Sequence, residues 1–530
     1  MQKSLSLALS ALSLTLGMAA TAPLTHAATF RWAGANDLLT FDPHAQNHQT
    51  TLAFLQQVYE GLTRYDAKFN IQPGLATKWT QISPTQIRFE LRKGVKFHDG
   101  APFTADDVVF SLTRQMTPPS NMTANVQSVK EVKKVDDFTV DLILKGPNPV
   151  LLRELTDARI MNKAWAEKHN ATKAQDYKAK EESFAARNAN GTGPFMLKSW
   201  APDQKTVLTK HAAWWDKPTG NVDEVVFTPI RSAATRSAAL LSNQVDFVSD
   251  PPPQDQERMR NTPDLKMVDG SENRTMFLGL DQKRDELLYS NVKGKNPLKD
   301  KRVRQALYQA IDINTIHSSV MRKMAVPTGT MVAPMVNGWT KDLETRAAKY
   351  DPAAAKKLLA EAGYPDGFEL TLDCPNDRYV NDEAICQAVT AMWTRIGVKT
   401  RLNTQAMATY ITKIQKHDTS AYLLGWGVST MDALYSLDSL INTSVDGTAA
   451  GNYNLGRYSN KDVDGLIAQI KIATDEKKRN ELIHEALKIV KDDYGYLPLH
   501  HQIRPWVMKA GVTTVHRSDD RPEARFTSVR

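Results

Sequence analysis

The chain has 530 residues, well beyond the roughly 250–300 at which a single hydrophobic core stops growing, so at least two domains are expected. Its 41% apolar and 24% charged residues are those of a folded globular chain and exclude a disordered one. The net charge of +8 is dispersed through mixed segments such as Lys130-Glu131-Val132-Lys133-Lys134-Val135-Asp136-Asp137, and no basic block interleaved with aromatics occurs, which argues against a nucleic-acid partner.

At the N-terminus, Lys3 precedes an apolar stretch over 5–20 and then Thr25-His26-Ala27. A short positive region, an apolar segment and small residues before a break describe a signal peptide over 1–27, cleaved after Ala27. No cysteine lies near that site, so no lipid anchor is expected, and no later stretch has transmembrane length.

Residues 86–92 alternate, with Ile87, Phe89 and Leu91 on one face and Arg88, Glu90 and Arg92 on the other, the period of a half-buried strand. A turn follows at His98-Asp99-Gly100, where glycine tolerates a positive φ. Thr104 then caps a helix whose first turn carries Asp106 and Asp107, acids suited to the positive end of its dipole. Asn190-Gly191-Thr192-Gly193-Pro194-Phe195 reads as a turn into a strand, since the Lys-Ser/Thr of a phosphate loop is missing. A strand over 223–230, a helix over 231–242 and a strand over 244–248 give a β-α-β rhythm and predict an α/β domain with parallel pairing.

After Pro297, the residues Val303, Ala306, Leu307, Ala310 and Ile311 recur at helical spacing. Asp351, Pro352 and Gly363 punctuate another helix as N-cap, first turn and C-terminal glycine. Residues 367–372 are a strand opening a second α/β lobe, and 481–490 form an amphipathic helix. The segment 496–500 reads as a strand returning to the first lobe, and the charged, proline-interrupted residues 519–530 are expected to fray. The cysteines, Cys374 and Cys386, do not have a zinc spacing. In an oxidising compartment a local disulfide is expected, the alternative being two free buried thiols.

The wording over 89–108, F-x-L-R-x-G-V-x-F-x-D-G-x-P-x-T-A-x-D-V, closely resembles the signature of the large periplasmic dipeptide/oligopeptide solute-binding proteins of ABC transporters. The turn at 190–195 is similar to that family's GTGP-aromatic motif, and 300–312 to its D-x-R-V-R-x-A-x-x-x-A-I-D segment. The resemblance implies an α/β two-lobe periplasmic-binding-protein fold of the type II, cluster C-like kind, with an extra subdomain in lobe I and a hinge between lobes. Carried onto this chain, lobe I would span 28–275 with the subdomain at about 61–180, lobe II 276–498, and 499–530 would return to lobe I. The crossings would fall near 274–281 and 496–502, where a few residues could absorb the motion of two rigid lobes.

The same resemblance implies a ligand site between the lobes. In Gly425-Trp426-Gly427-Val428-Ser429-Thr430-Met431-Asp432, relatives place an acid for the peptide's α-amino group at the position of Ser429. A neutral hydroxyl cannot make that charge-assisted bond, and Asp432 is the candidate substitute. Arg378 falls where the dipeptide receptor has an arginine for the ligand carboxylate, a task its planar donors suit. Trp426 is a candidate to stack on the ligand or floor the cleft. Asn47, His48, Gln49 and Thr50 are the candidate lobe I contacts, and Asn273 and Arg274 lie at the presumed crossing. Asn452, Tyr453 and Asn454 form a further polar cluster.

The implied function is the periplasmic substrate-binding component of an ABC importer. It would capture a peptide, or a peptide-like, carboxylate-bearing small molecule, and deliver it to a permease served by ATPase subunits. No catalytic residue, metal or cofactor is called for, and the expected state is a monomer. HExxH and Gly-x-Ser-x-Gly are missing, His484-Glu485 has no second histidine at metal spacing, and His500-His501 adjoin a strand whose side chains alternate in direction. The alternatives are a receptor for a metal chelate or haem, or a chemosensory or chaperone-like binding protein.

Overall fold

Two large sheets organise the chain in the computed structural model, which describes residues 27–177, 179, 182–445 and 450–530. The expected signal peptide, all but Ala27, lies outside the described residues.

The first sheet has seven strands and is built around Thr29–Gly34. Glu224–Pro229 and Phe247–Ser249 flank that strand in parallel, opposing Phe227 and Phe247 to Trp32. The helix Ala233–Leu241 crosses between them, capped by Ser232, so the predicted β-α-β unit is present with a shorter second strand. Trp32 stacks on Phe54 at 5.2 Å and tilts against Phe227 at 4.8 Å. Burying a phenylalanine of this kind is worth about 1.5–3 kcal/mol.

A four-stranded sheet forms the extra subdomain of this lobe. Its strand Gln86–Leu91 lies between Ala76–Ser83 and Thr139–Leu144, with Ile87, Phe89 and Leu91 buried as the alternation requires. The helix Ala105–Met116 begins in a capping box between Thr104 and Asp107. Asp107 also accepts from the Lys163 backbone at 2.8 Å, tying this helix to the start of helix Lys163–Lys168.

The second sheet has six strands, centred on Ser271–Leu280, which pairs antiparallel with both Ala421–Gly427 and Leu497–Ile503. Helix Pro352–Glu361 starts at Asp351, whose carboxylate accepts from Ala354 N at 2.9 Å, and Gly363 follows it with φ +92°. The strand Phe368–Pro375 and the helix Asp382–Arg395 are joined by the Cys374–Cys386 disulfide.

The changes of sheet fall elsewhere than expected. Strand Leu265–Val268 belongs to the first sheet and Ser271–Leu280 to the second, so the first crossing is Asp269-Gly270. Leu497–Ile503 does not return to the first lobe. It completes the second sheet, and the return is made at Arg504-Pro505 by the next strand, Trp506–Lys509. The crossings are joined by a hydrogen bond from Arg504 N to Gly270 O at 3.0 Å. Arg504 also donates to Asp250 and lies 3.4 Å from Asp520.

Residues 519–530 do not fray. Ser528–Val529 pairs with Val512–Thr513, and Arg521, Glu523 and Thr527 are buried. The charges that suggest solvation are paired: Arg517 with Asp519 at 2.8 Å and Arg521 with Asp157 at 3.0 Å.

Candidate functional site

Between the lobes lies a cleft with ≈ 920 Å³ of empty space, its open mouth included. Its second-lobe wall follows from the pairing of Ser271–Leu280 with Ala421–Gly427, which sets Arg274 opposite Gly427. Arg274 donates to Glu272 Oε1 and to Gly425 O, both at 3.0 Å. A Cβ at Gly427 would stand 3.2 Å from Arg274 Nη2, so glycine leaves that guanidinium its room. Burial works against ionising Glu272, but Arg274 and Arg504 hold its carboxyl below the usual range. Asn273 donates to Val428 O at 2.9 Å, and its own backbone N–H reaches Ser518 O in the C-terminal segment at 2.9 Å.

The first-lobe wall is largely that segment. Arg517, Asp519, Arg521, Glu523 and Arg525 alternate along it and all line the cleft. Behind them, Asp157 receives both Arg521 and Arg159, the latter at 2.5 Å. Although Asp157 is buried, these two cations hold its carboxyl well below the ordinary range. Tyr59, Glu60 and Arg64 also line the cleft. The lobes touch where Tyr65 Oη donates to Thr430 O at 3.1 Å.

The sequence candidates divide. Asn273, Arg274, Gln49 and Ser429 line the cleft, with Ser429 exposed and Gln49 donating to Asp519 O. His48 is the N-cap of helix Gln49–Val58, its Nδ1 3.1 Å from Thr51 Oγ1. Burial and the nearby Arg378 cation lower the His48 imidazole below its ordinary value, which places His48 and Arg378 within electrostatic reach across the lobes. Arg378 is exposed, with its guanidinium 5.2 Å from the Tyr379 ring, and has no ion-pair partner among the described residues. Asn47 is exposed and Thr50 half-buried, and none of Asn47, His48, Thr50 and Arg378 lines the cleft.

Two candidates are engaged elsewhere. Trp426 packs inward, stacked on Tyr435 at 5.2 Å and against Tyr453 at 5.0 Å in the second lobe's core. Asp432 faces Arg479 at 2.8 and 2.6 Å and also accepts from Asn337 at 2.9 Å, so its carboxylate points away from the cleft. Asn454 is buried and bonded to Tyr458 O at 2.7 Å.

Sequence reasoning missed Glu60, Asp157, Arg159 and the C-terminal wall. The one available signal was the alternation of opposite charges at Arg517, Asp519, Arg521, Glu523 and Arg525, a period that sets like-spaced side chains on one face of an extended segment.

Two α/β lobes joined by two short crossings around a polar cleft define a ligand receptor rather than a packed single domain. Residues 70–447 match the family model described as "Bacterial extracellular solute-binding proteins, family 5 Middle", and the chain belongs to that family. Its members include substrate-binding proteins of ABC transporters, and this chain is one of that kind. It is 28% identical to Heme-binding protein A of Haemophilus influenzae, over 90% of this chain and 87% of that one. It is also 28% identical to the Dipeptide-binding protein of Escherichia coli, over 81% and 80%. Among solved structures, HbpA2 of Haemophilus parasuis superposes with a TM-score of 0.79 at 25% identity, covering 95% of this chain and 100% of its own. Among the described residues, no helix is long and apolar enough to cross a membrane.

Proposed function

We propose that this protein is a periplasmic receptor that captures a peptide-like, carboxylate-bearing small molecule between its lobes and hands it to an ABC permease driven by ATPase subunits. It acts by capture without chemistry, as a monomer. Ligand enters the open cleft and bridges both walls, favouring the closed form because only that form makes both sets of contacts.

The observation that supports the ligand class is Arg378, an exposed second-lobe guanidinium with no ion-pair partner among the described residues, whose charge acts on the first lobe's His48. Its counterpart for an α-amino group is missing from the Gly-Trp segment, since Ser429 is neutral and Asp432 is taken by Arg479. A thermal-shift panel of free dipeptides and their N-acetylated acids tests this. The acids are expected to stabilise the protein, and Arg378→Gln to abolish the shift without lowering the stability of the free protein. Stabilisation by free and acetylated acids that survives in Arg378→Gln would sink the reading.

A second reading, a receptor for haem or a metal chelate, is favoured by the likeness to Heme-binding protein A. Titrating haem into the protein and following its absorbance separates the two.

A further inference from the structure

Glu60 is only 7% exposed and still lines the cleft. Its Oε2 accepts from Trp215 Nε1 at 2.8 Å and Thr192 Oγ1 at 2.9 Å, and its Oε1 from Trp214 Nε1 at 3.3 Å. All three donors are neutral. Among the described residues no basic side chain makes an ion pair with it, in contrast to its neighbours Asp157, Glu272 and Glu523. The nearby cations make their contacts with other groups, although Arg64 Nη1 has no hydrogen-bond partner among the described residues and its charge acts on Glu60 from a distance. Arg64 pairs with Asp216 at 2.6 Å and lies 4.7 Å over the Trp215 ring, while Arg92 covers the same ring at 3.8 Å.

A carboxylate accepts at about four lone-pair positions, and three are filled here, so one position on Oε1 remains. A buried anion whose hydrogen bonds all come from neutral donors is expensive, and burial raises the Glu60 carboxyl above its ordinary value, outweighing those three bonds and the Arg64 charge, which act to lower it. A cation delivered to that position would relieve the cost. We infer that Glu60 is the cation-binding group of this cleft, receiving an ammonium of the ligand in place of the acid that the Gly-Trp segment lacks. Glu60 then supplies the cation pole from the first lobe, whereas Arg378 of the second lobe is not among the residues lining the cleft. Trp214, one of the three donors to Glu60, also lines the cleft.

The inference rests on the proposed reading for the use of this cleft, so its test includes a probe that needs no carboxylate. The intact mature protein and Glu60→Gln are titrated with 1,4-diaminobutane, and with di- to tetrapeptides in free-amine and N-acetylated forms. Tryptophan fluorescence reports the indoles that donate to Glu60. The variant is expected to lose about tenfold in affinity for the diamine and the free amines, the worth of a charged hydrogen bond, and to keep that for the acetylated peptides. If the diamine binds in this way and no peptide does, the peptide-like reading fails and the Glu60 assignment stands. Equal losses for blocked and free amines, no loss at all, or no response of the intact protein to either amine class would overturn the assignment. Should Glu60→Gln misfold, the pH profile of the intact protein decides. An ammonium bound at Glu60 must weaken as falling pH protonates the carboxylate, while acetylated peptides follow a flat course over the same range; identical profiles would overturn it.

Discussion

Asp432 and Arg479 form a two-pronged ion pair at 2.8 and 2.6 Å, with 2% and 5% of their side chains exposed. The acid nearest to the Gly-Trp segment therefore serves the second lobe's interior. Burial alone would raise its carboxyl, but the contact with Arg479 outweighs that and holds it below the ordinary range. Removing one partner of such a pair leaves the other buried and uncompensated, at a cost of about 3–5 kcal/mol. Asp432→Asn is thus expected to lower the denaturant midpoint sharply while leaving the affinity of the folded fraction unchanged. A variant as stable as the parent but defective in ligand capture would return Asp432 to the cleft.

The Cys374–Cys386 disulfide spans a separation of 12 residues. Closing a loop of roughly that size restricts the unfolded chain by about 3 kcal/mol in the chain-entropy model. Both cysteines are fully buried, so reduction requires opening of the strand and helix they join. Unfolding in denaturant with and without a thiol reductant should show the reduced protein less stable by about that amount. Coincident curves would mean that the bond contributes no constraint.

What could be read from the sequence was local. Thr104 with Asp107, and Asp351 with Pro352 and Gly363, specify their helices within a few residues, and the alternation from Ile87 to Leu91 specifies a buried strand face. The partners that decide the site are remote. Asp432 meets a residue 47 positions away, Glu60 is held from 132 and 155 positions away, and Asp157 meets Arg521 across 364. An isolated reading therefore gave Asp432 to the ligand and residues 519–530 to solvent, because an unpaired charge and a distantly paired one look alike in linear text. The crossings were misplaced for a related reason. The apolar pattern of 497–503 marks a buried strand but does not name its sheet, which pairing with Ser271–Leu280 settles.

His500 lies in that strand, fully buried, and burial together with the charges of His501 and His317 brings its imidazole down to about 3. An unfolded histidine titrates near 6.5. Between these values the unfolded chain binds a proton that the folded chain does not, so stability is complete above about pH 6.5 and falls as pH drops toward 3. At pH 5 the loss from this residue is about 2 kcal/mol. Other groups titrate in the same window, including Glu154 and Asp520, which are raised to about 7 and act in the opposite sense. The difference between the parent and His500→Leu cancels them. The variant's stability should decline less steeply from pH 7 to pH 5, and parallel profiles would show that His500 is protonated in the fold.

Gly270 sits in one crossing and His516 packs against it so closely that a Cβ at Gly270 would stand 2.0 Å from the imidazole ring. The ring has little freedom to retreat, because Nε2 is 2.8 Å from Arg504 O in the other crossing and the ring lies 4.5 Å from Trp506. Gly270→Ala therefore forces apart the two strands of chain that join the lobes, an overpacking cost of about 1–3 kcal/mol. If these crossings form the hinge, the strain should also alter the lobe arrangement, visible as a changed radius of gyration and a smaller compaction on ligand binding. His516→Ala in the same chain removes the obstacle, so the double variant should recover most of the stability and scattering profile lost by Gly270→Ala. The two residues are in contact and their effects must be coupled. Costs that simply add in the double variant would show that the backbone at Gly270, and not its contact with His516, sets the geometry of the crossing.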